Sequence, residues 1–558
     1  MGQHSVQVIS DPRIVSTRLN ADGLAEELRG FGILEKWSHV VDGLRHGFDV
    51  GVKAETRGDK TIIDKNHSSC SKSPQFISDY ITSEKAKGHY SDGYTPQELE
   101  SLIGPFRTSP LGLIPKDADS FRLIQDFSFP RNDPDRHSVN HSVNSDDFPT
   151  AWGTFDGTSK MILSLPQGSV AAAFDISAAC RQTPVSPDQQ WALCLFWDGK
   201  VYVDRAVPFG LASSAGVFGS VADMLIAIYE ASGMFGPMVK WVDDFFVTRL
   251  PHQQSTEADF VSLTSKHGVP WNAKKLRPFN VVQRYLGYNW DLQNRTVSMP
   301  MEKLDACRHL LDSWLESKAT FTMHQAETLH GKLVYMSSLF RLIRPFLPSI
   351  TSFSKSFSNI HVRRHPNSSL VKDLRWVVWL LNILPRTIPL SFVEPEDIGW
   401  WGDASTSFGI GVVIGKFWSA WHWAPGFHPG TGSESNIGWA EAVAIELGLL
   451  TVLHLGTRVN RRPNHNHLLV RSDNSGVVDT LTKGRSKSRT TNQVLKRIHI
   501  LLASSGLILH GHHVSSPENV SDALSRGDVA AFLTGYPTAS EKVTLNPPSC
   551  LNEMLRSL

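Results

Sequence analysis

The chain has 558 residues, of which 55 are Lys or Arg and 54 are Asp or Glu, for a net charge of +1. At roughly 100–200 residues per domain, that is enough chain for about three or four domains. The balance excludes a histone-like or tail-like polyelectrolyte and shows none of the global basic excess that marks many nucleic-acid binders, while 41% hydrophobic and 20% charged content is that of a globular protein.

The elements follow in chain order. The opening MGQHSVQVIS lacks the basic-then-apolar pattern of a signal peptide, and Val6 stands where a myristoylation motif needs Ser or Thr. Residues 1–100 mix short amphipathic segments such as AEELRGFGILEKWSHVVDGL with polar stretches and read as a partly ordered lead-in. LGLIPK and FRLIQDFS alternate like strands, and PRNDPDRHSVNHSVN reads as a long turn. SVAAAFDIS is a buried-strand pattern ending in an acid, VYVDRAVPFG another strand, and SSAGVFGSVADMLIAIYEASG a helix with small residues on one face. VKWVDDFFVTRL predicts a hairpin with two acids at its centre, and VVQRYLGYNWDLQNRTVSMP a second hairpin with an Asn-Arg turn.

From Met301 to Pro348 the apolar period becomes helical, and SKSFSNIHVRRHPNSS forms a polar, basic connector. At Ile398 a strand-rich unit begins whose order, βββαβαβα, predicts an α/β domain on a mixed sheet. The five cysteines are odd in number and widely spaced, with no Cys-x-x-Cys, which argues against a disulfide scaffold or a zinc ribbon. WVVWLLNIL is the nearest approach to a membrane span and is too short. The expectation is a soluble protein, cytoplasmic or nuclear rather than secreted, with no membrane partner.

Two acidic constellations carry the chemistry. Asp175 and the pair Asp243-Asp244 sit in apolar strand patterns, where neighbouring carboxylates are costly unless a cation compensates them. Asp-Asp alone also suits a solvated turn, but the flanks Trp241, Val242, Phe245 and Phe246 are apolar. If the Asp175 strand lies beside the hairpin, three carboxylates converge, and hard Mg²⁺ is the ion that prefers them. Two such ions about 3.5–4 Å apart would activate a 3′-hydroxyl and steady a leaving pyrophosphate. Asp403, Glu441, Asp473 and Asp522 recur through the C-terminal strand–helix unit as a second set.

The first set resembles the reverse transcriptases of long-terminal-repeat and DIRS-type retroelements. FDISAACRQTPV is similar to their first palm motif, AVPFGLASSAGVFGSVAD to the primer–template and nucleotide-positioning motif, and WVDD to the aromatic-x-Asp-Asp hallmark. HGVPWNAKK and YLGYNWD resemble the next two motifs, in order, and LGLIPK with FRLIQDFSFPRNDPDRHSVN the fingers segment. The resemblance implies an α/β (α+β) right hand with palm, fingers and thumb. It makes Asp175 and Asp243 metal ligands and Asp244 a supporting third acid. Lys116 and Arg122 would meet the triphosphate, with Asp126 near the same cradle. Phe209 and Gly210 would pack under template–primer and incoming base, and Lys274 or Lys275 would assist the leaving group. Two positions depart from the family: Trp241 replaces the usual Tyr, and Cys180 stands where a Phe or Tyr steric gate is usual.

The second set resembles the ribonuclease H of the same retroelements. Asp403, Glu441, Asp473 and Asp522 would hold two Mg²⁺ (or Mn²⁺), with Glu446 a rival to Glu441 that reads as a surface charge. The mobile His common before the last Asp has no counterpart in SSPEN, and His512 and His513 read as alternate strand residues. The implied layout is an N-terminal extension 1–100, fingers and palm 101–300, thumb 301–350, connector 351–395, ribonuclease H 396–530 and tail 531–558. The implied partners are an RNA template, a DNA primer, an RNA–DNA hybrid and dNTPs. A decayed copy that binds nucleic acid without polymerising is the alternative. Residues 457–498 carry ten Lys and Arg against Asp473 and Asp479, a local charge of +8, and read as a hybrid-facing surface or a solvated loop. Arg363, Arg364, Lys372 and Arg375 form a second cluster, and Lys332 and Arg341 of the thumb are further candidates for the duplex backbone.

Overall fold

The computed structural model describes residues 11–116, 120–131, 133, 135–359, 361–391, 393–430, 435–459, 461–462 and 465–558. The reading of the first ten residues lies outside these. The chain divides into two compact units, residues 1–297 and 298–558.

In the first unit the alternating segments pair as expected. Leu111–Pro115 and Phe121–Gln125 form an antiparallel hairpin. A second sheet has the order Met238–Trp241, Asp244–Arg249, Val170–Asp175, Arg277–Asn280. Val170–Asp175 is therefore interior, which is why its sequence is apolar up to the terminal acid. The small-residue face of the Ser214–Ala231 helix has a visible cause. A Cβ on Gly216 would stand 2.1 Å from the Phe148 carbonyl and one on Gly219 2.5 Å from Thr150 Oγ1, so the chain at 148–150 lies directly on the helix.

Three expectations for this unit change. Residues 11–100, read as a partly ordered lead-in, pack into the unit's cores. The helices Ala21–Gly30 and Leu34–His46 send Leu24, Leu28, Val40, Val41 and Leu44 into the same core as Phe174, Phe218 and Phe245. VYVDRAVPFG is strand only at Lys200–Tyr202, because Asp204 turns inward to grip the buried Arg181 at 2.8 Å. The second hairpin is a meander of Val282–Tyr285, Tyr288–Asp291 and Thr296–Ser298. Besides the expected turn with Arg295 at φ 50°, Leu286 and Gly287 make another at φ 50° and 78°.

The second unit has helices Met301–Leu315, Met323–Met336, Pro348–Lys355 and Ser368–Ile383, followed by a seven-stranded mixed sheet. Its order is Ile508–His513, His467–Ser472, Glu396–Ala404, Gly409–Ile414, Phe417–Trp423, Glu541–Lys542, with Leu555–Ser557 also on Phe417–Trp423. The stretch 531–558, expected as a tail, thus adds two short strands to the sheet. The helical stretch is bound to the sheet domain by polar contacts. Lys496 Nζ meets Asp373 at 2.7 Å in a buried pair, Asn492 Nδ2 donates to the Pro345 carbonyl at 2.6 Å, and His499 Nδ1 lies 3.0 Å from the Leu342 carbonyl. A buried ion pair without its partner is strongly destabilising, so these segments behave as one body.

WVVWLLNIL is not the nearest match to a membrane span. Ser214–Ala231 and Ile437–Arg458 are long and apolar enough by composition, but 56% and 72% of their most apolar windows are buried within the fold. Both pack most of their apolar surface against the fold, and a helix buried on more than one side carries apolar residues beyond a single stripe.

Candidate functional site

The first acidic set is assembled by strand register. Asp175, last in its strand, lies opposite Asp244, and Asp244 pairs with Trp241 across the hairpin. Val242 and Asp243 form the two-residue turn between them, and the Ile176 amide donates to the Asp243 carbonyl at 3.1 Å. Val242 sits at φ 55°, a left-handed conformation that costs a β-branched residue about 1–3 kcal/mol. Burial and then the Asp175 charge raise the Asp243 pKa, so the ionised form is disfavoured. Asp244 is exposed as a residue, but its carboxyl faces the cluster; loss of water, then Asp243 and Asp175, push it up to about 6. Charges crowded this way need a cation, and Lys275 supplies one: its Nζ is 2.6 Å from Asp175 Oδ2.

That contact separates the two lysines left open by the sequence. Both are exposed, but the Lys275 ammonium reaches the acids, whereas Lys274 is held through its amide, which donates to Asn272 Oδ1. Asn272 also donates through Nδ2 to Asp175 Oδ1 at 3.2 Å and through its amide to the Asp175 carbonyl at 2.8 Å. Its place directly before Ala-Lys-Lys was the only sequence sign of this role.

Around the acids, Phe209 is 56% exposed and Trp241 44% exposed, large apolar rings that the fold leaves uncovered. Gly210 needs its φ of 98°, and the loop is clamped by Asn140, whose Nδ2 donates to the Gly210 carbonyl while its Oδ1 accepts from Ala212. Trp152 lies against Trp241 with ring centroids 5.5 Å apart. Beneath them Lys240, fully buried, holds Asp223 at 3.0 Å and Thr150 Oγ1 at 2.7 Å. Asn140 belongs to the Ser-Val-Asn stretch whose resemblance implied that it shapes the cradle, whereas Trp152 and Lys240 had no sequence assignment, since each works through a partner distant in the chain. Cys180 is buried with its thiol pushed up to about 12 by loss of water, and its Sγ is 3.9 Å from the Ser214 carbonyl. Lys116 and Arg122 are exposed at the end of the Leu111–Pro115/Phe121–Gln125 hairpin. Asp126 is engaged by Arg131 at 2.8 Å and His67 at 3.0 Å.

In the second unit Asp403, Glu441 and Asp473 each offer an oxygen within 4.8 Å of the other two. Asp403 comes from the Glu396–Ala404 strand, Glu441 from the Ile437–Leu455 helix packed on it, and Asp473 from just beyond the neighbouring His467–Ser472 strand. Burial first, then mutual repulsion, pushes Asp403 up to about 7 and Glu441 up to about 9. Asp403 is nonetheless oriented: Asn519 Nδ2 donates to Oδ1 at 3.0 Å and Ser525 Oγ donates to Oδ2. Neither residue was assigned from sequence, although both lie in the stretch that holds Asp522. Asp522 stands outside the close trio, paired with Arg526 at 2.8 Å. Glu446 is not a surface charge. It is buried, and Arg497 Nε and Nη2 each bond one of its oxygens at 2.6 Å.

The +8 stretch is largely neutralised by partners outside it. Arg458 pairs with Glu541, Arg462 with Glu396, Arg471 with Asp397, Lys496 with Asp373 and Arg497 with Glu446, while Lys483 pairs with Asp479 inside the stretch. Among the described residues no carboxylate pairs with Arg461, Arg485, Lys487 or Arg489. The last three stand in the loop and first turn before the Arg489–Ser505 helix.

No family model and no curated protein matches the chain. It is similar to a solved structure of the foamy viral protease-reverse transcriptase in complex with RNA/DNA hybrid, at 14% identity and a TM-score of 0.45, over 89% of this chain and 63% of that one. A second structure of that protein, in complex with dsDNA, is similar at 15% identity and a TM-score of 0.42, over 82% of this chain and 86% of that one. The chain thus spans less than two thirds of the first of these.

Proposed function

We propose that the protein is an RNA-directed DNA polymerase with a fused ribonuclease H. The observation that carries this is the presence of two carboxylate centres, one in each unit, each with acids at strand ends and a charge that the protein leaves largely uncompensated. Asp175, Asp243 and Asp244 serve nucleotidyl transfer; Asp403, Glu441 and Asp473, with Asp522 at the rim, serve cleavage of the RNA strand of a hybrid. The donor set is all oxygen, which fits Mg²⁺ or Mn²⁺. Bound there, such ions lower the pKa of a coordinated hydroxyl or water and stabilise the charge that builds on phosphate.

The chain's own residues set the rest. Asn272 and Lys275 hold Asp175, and Asn519 and Ser525 hold Asp403, so the ligands are in place before any ion arrives. Phe209 and Trp241 offer ring faces to bases and to the primer end, and Asn140 fixes the loop that carries Phe209. Lys116 and Arg122 meet the triphosphate, and Arg485, Lys487 and Arg489 the hybrid backbone. Primer extension on an RNA template with Mg²⁺ is the test. No extension by the intact chain would favour a copy that binds nucleic acid without polymerising.

Cys180 leads to a prediction about sugar choice. A thiol is far smaller than the phenyl or phenol ring of a gate, so at this position it would present no bulky barrier to a ribose 2′-hydroxyl. Incorporation of rNTPs should be readily detected beside dNTPs, and Cys180→Phe should suppress it. Strong rNTP rejection by the unaltered chain would refute this reading.

A second prediction concerns pH. Folding raises the Asp403 and Glu441 pKa values, so the folded state holds protons that the unfolded chain releases. Their contribution to metal-free stability is complete below the usual carboxylate range and is lost as pH rises through about 7 and about 9. An added divalent cation relieves the same repulsion. The Mg²⁺-induced rise in Tm should therefore grow from pH 6 to pH 9, by more than the roughly 2 °C that 1 kcal/mol produces in a domain of this size. A gain independent of pH would count against metal binding at this trio.

A further inference from the structure

We propose that His467 and His510 form a cross-strand site for a borderline transition-metal ion, with Zn²⁺ the natural candidate, separate from both carboxylate centres. The sequence places His-x-His twice, as His465-Asn466-His467 and His510-Gly511-His512. The fold brings one histidine of each together. The strands His467–Ser472 and Ile508–His513 run parallel, with His467 opposite Ile508 and Leu469 opposite His510. Residues opposite in a parallel ladder share a face, and so do residues two apart along a strand. His467 and His510 are therefore diagonal neighbours on one face.

Their ring nitrogens converge. His467 Nδ1 is 2.9 Å from His510 Nε2, and the ring centroids are 5.1 Å apart at an interplanar angle of 27°. Both rings are half-buried. His465 stacks near His467, centroids 6.2 Å apart, but its Nε2 is engaged elsewhere, 3.1 Å from the Glu394 carbonyl and 3.5 Å from Arg462 Nη2. Burial and the neighbouring rings hold the His467 pKa below its usual value, and burial does the same for His510, so both are neutral, the ligating form, at neutral pH.

Two neutral imidazoles this close share one N–H between two nitrogens. A tetrahedral Zn²⁺ with bonds of 2.0–2.1 Å would set the two nitrogens roughly 3.3 Å apart. The rings need to separate by only a few tenths of an ångström. The donating ring moves its proton to its far nitrogen, so both lone pairs face the ion and no net proton is released. Water completes four-coordination. Nitrogen donors select Zn²⁺, Cu²⁺ or Ni²⁺ over Mg²⁺, so the site does not compete for the ion of the carboxylate centres.

The position gives the site a consequence. Asp473 follows directly on the His467–Ser472 strand, and His513 Nε2, at the end of the outer strand, lies 3.1 Å from the Asp473 carbonyl. Ile508–His513 is the edge strand of its sheet. A metal clip would pin that edge to the strand that delivers Asp473.

The test is calorimetric titration of the tag-free full chain with Zn²⁺ under excess Mg²⁺, which occupies the carboxylates. One Zn²⁺ per chain is expected, with a rise in Tm. His467→Ala and His510→Ala should each weaken binding by more than the roughly 10–100-fold that losing an outer partner costs a metal site. His510→Cys should retain Zn²⁺, which shows that a lost ligand, not a lost fold, explains the Ala variants, and His512→Ala should bind as the unaltered chain does. With Cu²⁺ as probe, the electron paramagnetic resonance spectrum should show coupling to two imidazole nitrogens. The proposal is overturned if the unaltered chain binds no Zn²⁺ under excess Mg²⁺, if both Ala variants bind normally, or if His512→Ala loses the ion equally.

Discussion

Asp243→Ala should abolish primer extension while leaving hybrid cleavage at its original rate. The Asp243 carboxylate accepts no hydrogen bond from another residue among those described. Its surroundings are the like charges of Asp175 and Asp244, only partly offset by Lys275, and a partly dry turn. A side chain held this way contributes little to the fold, so the Tm of the variant should stay level or rise. The turn itself is kept by the Ile176 amide on the residue 243 carbonyl, which Ala retains. Function carries the whole cost. Removing a metal ligand forfeits several kcal/mol of charge stabilisation in the transition state, and at 1.36 kcal/mol per factor of ten the rate should drop about 10³-fold or more. Single-nucleotide extension on an RNA template, read beside thermal denaturation, checks both halves. Extension at the original rate would remove Asp243 from the metal site.

Asp473→Asn is the matching experiment in the second unit, and the expected loss of hybrid cleavage is again about 10³-fold or more. Asn keeps the shape and removes the charge. The His513 contact is to the backbone carbonyl of Asp473 and survives. One fewer charge beside Asp403 and Glu441 eases their repulsion, so metal-free Tm should increase. Primer extension should be unaffected, because the acids proposed for nucleotidyl transfer belong to the other unit. Unchanged cleavage would refute the assignment of the trio, and a parallel fall in extension would refute the independence of the two centres.

Both predictions start from residues whose chemistry is legible in the chain as written. An acid that ends an apolar strand is conspicuous because burial of a carboxylate is costly. Asp175, Asp243, Asp403 and Asp473 stand out for that reason. Glu441 was singled out only by the resemblance to ribonuclease H, and Glu446, five residues further on in the same helix, is just as buried. Arg497, fifty-one positions away, is what makes one an ion pair and leaves the other to the cluster. The choice between Lys274 and Lys275 was equally closed to sequence, since adjacent residues differ only in which one points at Asp175.

The sequence by itself determined the periodicities, and with them the strand–helix order, the positions of the acids at strand ends and the small-residue face of Ser214–Ala231. These are local properties, set within a few residues by backbone geometry and by which side must be dry. Only the tertiary structure decided which charges meet. The balance of 55 cations and 54 anions became pairs such as Lys496–Asp373 and Arg471–Asp397, and the +8 stretch was reduced to Arg461, Arg485, Lys487 and Arg489 as its cations without a described carboxylate partner. It also decided that residues 11–100 and 541–557 belong to the packed units and that His467 meets His510. Charge pairing, burial and ligand geometry depend on distance in space, and distance along the chain does not encode it.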